Sequence, residues 1–203
     1  MTPEDARTFE RCMSVGGVAL FPADTVYGLA TDPESREGVE RIYRLKGRPP
    51  HRPSAVMFFS LELALEAVSD LGPRTREALE RLLPGQVTPL VPNPRRRFPL
   101  ACADEPERLG LRVPALSGEL APLAEVRWPV LQTSANRSGS PDARSLDAVP
   151  EEIRAGVDLV LDGGELPGTP STVVDLTAYE DEGTFDVIRE GAMSGKDIEA
   201  ALR

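Results

Sequence analysis

Short apolar runs alternate along this chain with stretches whose apolar residues recur every three or four positions. That switching of period limits the fold more than any other feature. Gly17-Val18-Ala19-Leu20-Phe21 reads as a buried strand, following a helix that Thr2 caps and Pro3 opens and that runs to about Gly16. Val39, Ile42, Tyr43 and Leu45 share one face of a helix ended by Gly47, and Ala55-Val56-Met57-Phe58-Phe59 reads as the next strand. Ser60 caps a helix through Val68, and Pro73 opens another with Ala78, Leu79, Leu82 and Leu83 on one face. Further strands are predicted over Val87 to Val91, Leu109 to Val113, Pro129 to Thr133, Leu159 to Leu161, Thr172 to Leu176 and Phe185 to Ile188. Helical patterns lie near Ser117 to Val126, Pro150 to Ala155 and Gly195 to Leu202. Strands outnumber helices without strict alternation, which predicts an α/β fold with a mixed sheet flanked by helices, not a doubly wound parallel one. The 20 prolines and 17 glycines fall at element boundaries, so they punctuate many short elements, and residues 1–203 are expected to form one domain.

Charge and residue inventory exclude several classes of function. With a formal net charge of -10, the chain as a whole repels a polyphosphate, so phosphate chemistry requires a local cluster of cations. The acidic start Met1-Thr2-Pro3-Glu4-Asp5 lacks the basic-then-apolar pattern of a leader, and no apolar run is long enough to span a bilayer; a cytoplasmic location without membrane partners is expected. Cys12 and Cys102 stand far apart and His51 is the single histidine, so neither a disulfide framework, a zinc site nor a hydrolase triad can be assembled. The familiar phosphate loops and the G-x-S-x-G elbow are absent.

Against the acidic background, Lys46-Gly47-Arg48-Pro49 and Thr133-Ser134-Ala135-Asn136 stand out. A basic pair leaves a helix C-terminus, and a polar turn follows a predicted strand. Taken alone, Lys46 and Arg48 also fit solvated cations compensating a helix end, and Ser134 and Asn136 fit ordinary turn formers. These blocks occur in order with Phe21-Pro22-Ala23-Asp24-Thr25-Val26-Tyr27-Gly28-Leu29, Leu83-Pro84-Gly85 with Thr88, and Gly110-Leu111-Arg112-Val113-Pro114. After them come Ser138-Gly139, Asp162-Gly163-Gly164, Pro170 to Leu176 and Ile188-Arg189-Glu190-Gly191. Through this ordered set the chain resembles the YrdC-like family, the threonylcarbamoyl-AMP synthases, almost end to end.

The resemblance implies a twisted α/β sheet around a deep basic cleft, of the short single-domain type. It also implies a nucleotidyltransferase that condenses L-threonine, bicarbonate and ATP into threonylcarbamoyl-AMP and pyrophosphate, for the threonylcarbamoyl modification of adenosine 37 in tRNA. Transfer to tRNA then needs downstream proteins. By matching position, Lys46 and Arg48 are the implied catalytic cations, and Arg48, Arg52, Ser134, Asn136 and Arg189 the implied ATP-binding residues. Thr25, Arg112, Gln132 and Thr172 are implied to hold threonine. No protein metal cluster is visible, so Mg²⁺ is expected to arrive on ATP.

Departures from the family pattern gather in the implied substrate pocket. Pro22-Ala23-Asp24 stands for the usual Pro-Thr-Glu, Met57 for a common histidine, Leu83 for a tryptophan, Gln86 for a proline, Arg108 for a threonine and Gln132 for a small residue. A paralogue that binds nucleotide without threonine-dependent synthesis is therefore an alternative. An RNA-binding module is a third, against which 33 acidic residues outnumber 23 basic ones, so direct tRNA binding is expected to be weak or absent. Arg95-Arg96-Arg97 reads as a solvated loop.

Overall fold

The computed structural model describes residues 1–203. Helix α1 (Pro3–Ser14) starts as its sequence requires: the Thr2 side chain accepts from the Asp5 backbone N–H and the Asp5 carboxylate accepts from Thr2. Helix α2 (Arg36–Lys46) ends at Gly47, whose φ of 59° lies in the left-handed region where a side chain is costly. Helices α3 (Leu61–Ala67) and α4 (Pro73–Leu82) follow, and a C-terminal helix, Gly195–Leu202, packs beside α4. The predicted helix near Ser117 is instead a 3-10 segment, Gly118–Glu125, because Pro122 inside it cannot donate to an α ladder.

Nine strands make one sheet: β1 (Ala19–Pro22), β2 (Tyr27–Thr31), β3 (Ala55–Met57), β4 (Val87–Pro92), β5 (Arg108–Arg112), β6 (Val130–Ser134), β7 (Leu159–Val160), β8 (Thr172–Asp175) and β9 (Asp186–Arg189). Their order is β7-β1-β2-β6-β3-β5-β4-β8-β9. Parallel pairs β1–β7, β3–β5 and β4–β8 sit among antiparallel ones, so the sheet is mixed as expected. Strand β2 is the one strand the sequence pattern did not show. Tyr27–Thr31 is buried on both faces, which erases the alternation that marks a half-exposed strand, and Gly28 interrupts the run.

Alternation along the strands sorts side chains onto two faces. Leu29, Val56, Leu109, Leu111, Leu131 and Val174 point into the larger core, which also takes Ile42, Leu65 and Leu79 from α2, α3 and α4. The opposite face carries Ala19, Phe21, Ala30, Met57 and Val130, which pack under Phe9 and Met13 of α1 and Leu123 of the 3-10 segment. The Phe9 ring lies 5.1 Å from Phe21 and 5.6 Å from Phe59. Spanning about 18 Å at 1.5 Å per residue, α1 lies chiefly over the β1–β2 end of this face. The uncovered remainder, toward β9, is where the cavity lies.

Candidate active site

The uncovered face bounds a cavity of about 380 Å³. Its floor repeats the two-residue period of each strand: Ala55 and Met57 from β3, Thr88 and Leu90 from β4, Gly110 and Arg112 from β5, Gln132 and Ser134 from β6. Arg48 stands on one wall, after α2, and Ser171 and Arg189 on the other, from the β8–β9 end. Four arginines and two carboxylates line the cavity, so its charge is settled by which of them are paired.

Two arginines are paired. Arg108 binds Glu105 and, at 2.9 Å, Asp175. Arg112 is buried against Asp24, which also accepts from the Ala115 backbone N–H at 2.9 Å. The Asp24 that departs from the family's glutamate thus keeps a carboxylate on that guanidinium. Burial pushes Arg112 down from the ordinary arginine range, and the Asp24 charge opposes that. Arg112 also donates to Gly85 O and to Val113 O. Three of its five N–H groups are therefore spent, leaving two for a ligand. The family resemblance implies that Arg112 holds threonine; the structure makes it a locked wall element with one donor edge to offer.

Arg48 and Arg189 have no carboxylate. Arg48 donates to Pro53 O at 2.5 Å and lies 5.7 Å from the centre of the Tyr43 ring, while its Nε is buried with no partner. Arg189 donates to Ser171 O at 2.7 Å from the exposed end of β9. The net positive character of the cavity reduces to these two side chains, a narrower feature than a continuous basic cleft.

Lys46 stands behind the wall. Its ammonium donates to Ser134 O, to Asn136 O at 2.8 Å and to Asn136 Oδ1 at 2.9 Å, which uses all three of its protons. Ser134 Oγ donates to the same Oδ1 at 2.6 Å, Asn136 Nδ2 donates to Ser140 O, and the Ser138 N–H donates to Lys46 O at 2.9 Å. The lysine thus staples the polar turn to the end of α2 and sets Ser134 beside Arg48 on the wall. Burial first, and the Arg48 cation second, push Lys46 down to about 8, with Asp142 opposing. Below about 8 the fold bears the full cost of burying the charged form. As pH rises from about 8 toward 10.5 the native state sheds this proton before the unfolded chain does, so stability gains. Lys46→Met is expected to flatten that gain in urea-denaturation midpoints taken across this interval.

The remaining sequence candidates separate into those at the cavity and those away from it. Thr25 and Gln132 line it, and Gln132 Nε2 lies where a Cβ on Gly28 would approach to 2.7 Å, so Gly28 makes room for the longer side chain. Thr172 lies fully buried beneath the floor, its hydroxyl donating to Met193 O and accepting from the Gly191 and Met193 N–H groups. Asn136 is likewise buried in the turn, and Arg52 is exposed outside the cavity. The Asp162-Gly163-Gly164 block holds the Tyr27 hydroxyl, which lies 2.9 Å from Asp162 Oδ1 and accepts from the Gly163 N–H at 3.0 Å. Each arginine of 95–97 faces a carboxylate, Arg96 reaching Glu107 at 2.6 Å and the others Asp70 at 3.8 and 3.9 Å, which fits a solvated loop. Asp142 and Glu105 line the cavity too, and no sequence signal marked either.

Fold and wall together define a mixed-sheet α/β protein whose open face bounds a cavity with two arginines that lack a carboxylate partner. The chain matches the Sua5/YciO/YrdC family model, described as telomere recombination, over residues 11–191, and it belongs to that family. It is 31% identical to the threonylcarbamoyl-AMP synthase of Pyrococcus abyssi over 92% of this chain and 54% of that protein. To the threonylcarbamoyl-AMP synthase of Saccharophagus degradans it is 33% identical over 82% of this chain and 87% of the relative. The structure of Pyrococcus abyssi Sua5 complexed with L-threonine matches with a TM-score of 0.81 at 29% identity, covering 99% of this chain and 58% of that one. This chain therefore spans about half the length of the Pyrococcus protein. No helix is long and apolar enough to cross a membrane.

Proposed function

We propose that this chain is an L-threonylcarbamoyladenylate synthase, a nucleotidyltransferase joining L-threonine, bicarbonate and ATP. The observation that carries the reading is the pair of cations without carboxylate partners, Arg48 and Arg189, on opposite walls of a cavity whose other arginines are neutralised. Threonine's amine and bicarbonate give a carbamate and water; a carbamate oxygen then attacks the α-phosphorus and pyrophosphate leaves. Charge builds on phosphoryl oxygens and on the leaving group, so fixed donors serve better than a protein nucleophile. Arg48 offers a planar fork to two oxygens and Arg189 a second guanidinium across the cavity, while Ser134, whose hydroxyl proton is held by Asn136 Oδ1, shapes the wall beside them. Lys46 and Asn136 support them from behind, and Thr172 fixes the strand that carries Ser171 and Val173. Thr25, Gln132 and the free edge of Arg112 are assigned to the amino acid.

Mg²⁺ suits this donor set when it comes with the nucleotide. No group of three or more histidine, cysteine or carboxylate side chains is arranged to hold a metal alone, whereas Mg²⁺ commonly takes one or two carboxylates plus substrate phosphates. Once bound, it would neutralise phosphate charge. Delivery of the product to tRNA falls to other proteins, in keeping with the neutralised 95–97 loop. The test is pyrophosphate release from Mg²⁺-ATP and bicarbonate, with and without L-threonine, with L-serine as control and the adenylate identified by mass. Threonine-dependent release that EDTA abolishes is expected. Release without threonine dependence, or none despite ATP binding, would transfer the site to a paralogue with another acceptor.

A further inference from the structure

Of the six charged side chains on the cavity wall, Arg108, Arg112 and Glu105 are in ion pairs and Arg48 and Arg189 are free cations. The sixth, Asp142, is a half-buried carboxylate that forms no hydrogen bond and no ion pair. Its place is fixed all the same. Two residues before it Ser140 O accepts from Asn136 Nδ2, and one residue after it Ala143 O accepts from the Tyr27 N–H at 2.9 Å. The loop is thus pinned on both sides, with Asp142 lining the same cavity as Arg48 and Ser134.

A fixed, unpaired negative charge in a cavity that receives a polyphosphate repels it, unless a cation stands between the two. Lys46 is close enough to feel the Asp142 charge, but its three protons are already taken by Ser134 and Asn136, so it is not that cation. A divalent ion with oxygen preference, held by one carboxylate, waters and phosphate oxygens, satisfies both charges. We propose that Asp142 is the protein's ligand, direct or through a bound water, to the divalent cation that enters with the nucleotide, and that it makes the site take the metal–nucleotide complex and reject metal-free nucleotide. This deepens the synthase reading and rests on its placing ATP in this cavity. The competing role is countercharge: Asp142 compensating the buried Lys46 with no metal involved.

Calorimetric titration of the full chain with ATP, once with Mg²⁺ and once with EDTA, separates the two. Wild type is expected to bind ATP at least about tenfold tighter with Mg²⁺. Asp142→Asn, which breaks no hydrogen bond, is expected to narrow that ratio to about twofold, chiefly by binding metal-free ATP better as repulsion is removed. Asp142→Glu is expected to keep the metal preference. If Asp142→Asn retains the wild-type ratio, the metal role is overturned while ATP binding stands. If wild type binds ATP under neither condition, the nucleotide reading fails and this proposal fails with it.

Discussion

Arg48→Ala is expected to lower threonine-dependent pyrophosphate release by about a hundredfold or more, the scale for removing one preorganised donor from a developing charge. Its stability should hardly change. Arg48 contributes one hydrogen bond to Pro53 O and a cation–π contact with Tyr43, and it leaves Nε buried without a partner. An unpartnered buried donor costs a fold, so little stability is expected to be lost with the side chain that carries it. Paired assays decide the matter: turnover close to wild type would remove Arg48 from phosphate stabilisation, and so would a rate loss matched by a large drop in melting temperature. Lys46→Ala is expected to lose a comparable rate by a different route. It frees the Ser134–Ser140 turn, so its melting temperature should fall as well, and that contrast distinguishes a side chain facing the ligand from one that positions it.

Asp24→Ala is expected to cost stability on the largest scale of any single change, about 3–5 kcal/mol, because it leaves the Arg112 guanidinium buried without its countercharge. The side chains of this pair are only 3% and 5% exposed, so solvent does little to screen the loss. The Ala115 N–H loses its acceptor in the same stroke. For a chain of this length, such a loss corresponds to a melting point lower by roughly 6–20 °C. Replacing both partners with apolar residues, as in Asp24→Leu with Arg112→Met, should recover much of that loss, since desolvation of the pair offsets most of its attraction. The double variant is nevertheless expected to be inactive, because the cavity loses the donor edge assigned to the amino acid. An Asp24→Ala protein that melts within a degree or two of wild type would contradict a structural role for the pair.

Much of the fold could be read along the chain because its signals are local. The Thr2 cap with Pro3, the left-handed Gly47 and the Ser60 cap each act within about four residues, and all three elements begin or end where the sequence placed them. The four-residue helices Pro99–Cys102 and Tyr179–Glu182 are too short to show a period, and two more features escaped for other physical reasons. Burial on both faces removed the alternation that would have marked β2, and Pro122 turned a helical period into 3-10 geometry. The site was legible as a set of motifs and not as an arrangement. Lys46, Asn136 and Thr172 belong to recognisable blocks, yet their side chains are spent on one another and on backbone groups behind the cavity wall, and Arg52 lies outside it.

Most element types, their main boundaries and the family are legible along the chain, because periodicity, capping and motif order are properties of neighbouring residues. Which charges are free depends on packing between distant segments. Asp24 meets Arg112 across 88 positions and Lys46 meets Asn136 across 90. The β2–β6–β3–β5 register sets which residues of the central strands share the open face. A charge buried with a partner serves the fold, and the same charge left unpaired in a cavity is free to meet a ligand. That difference arises from distances the register sets, which no local pattern records.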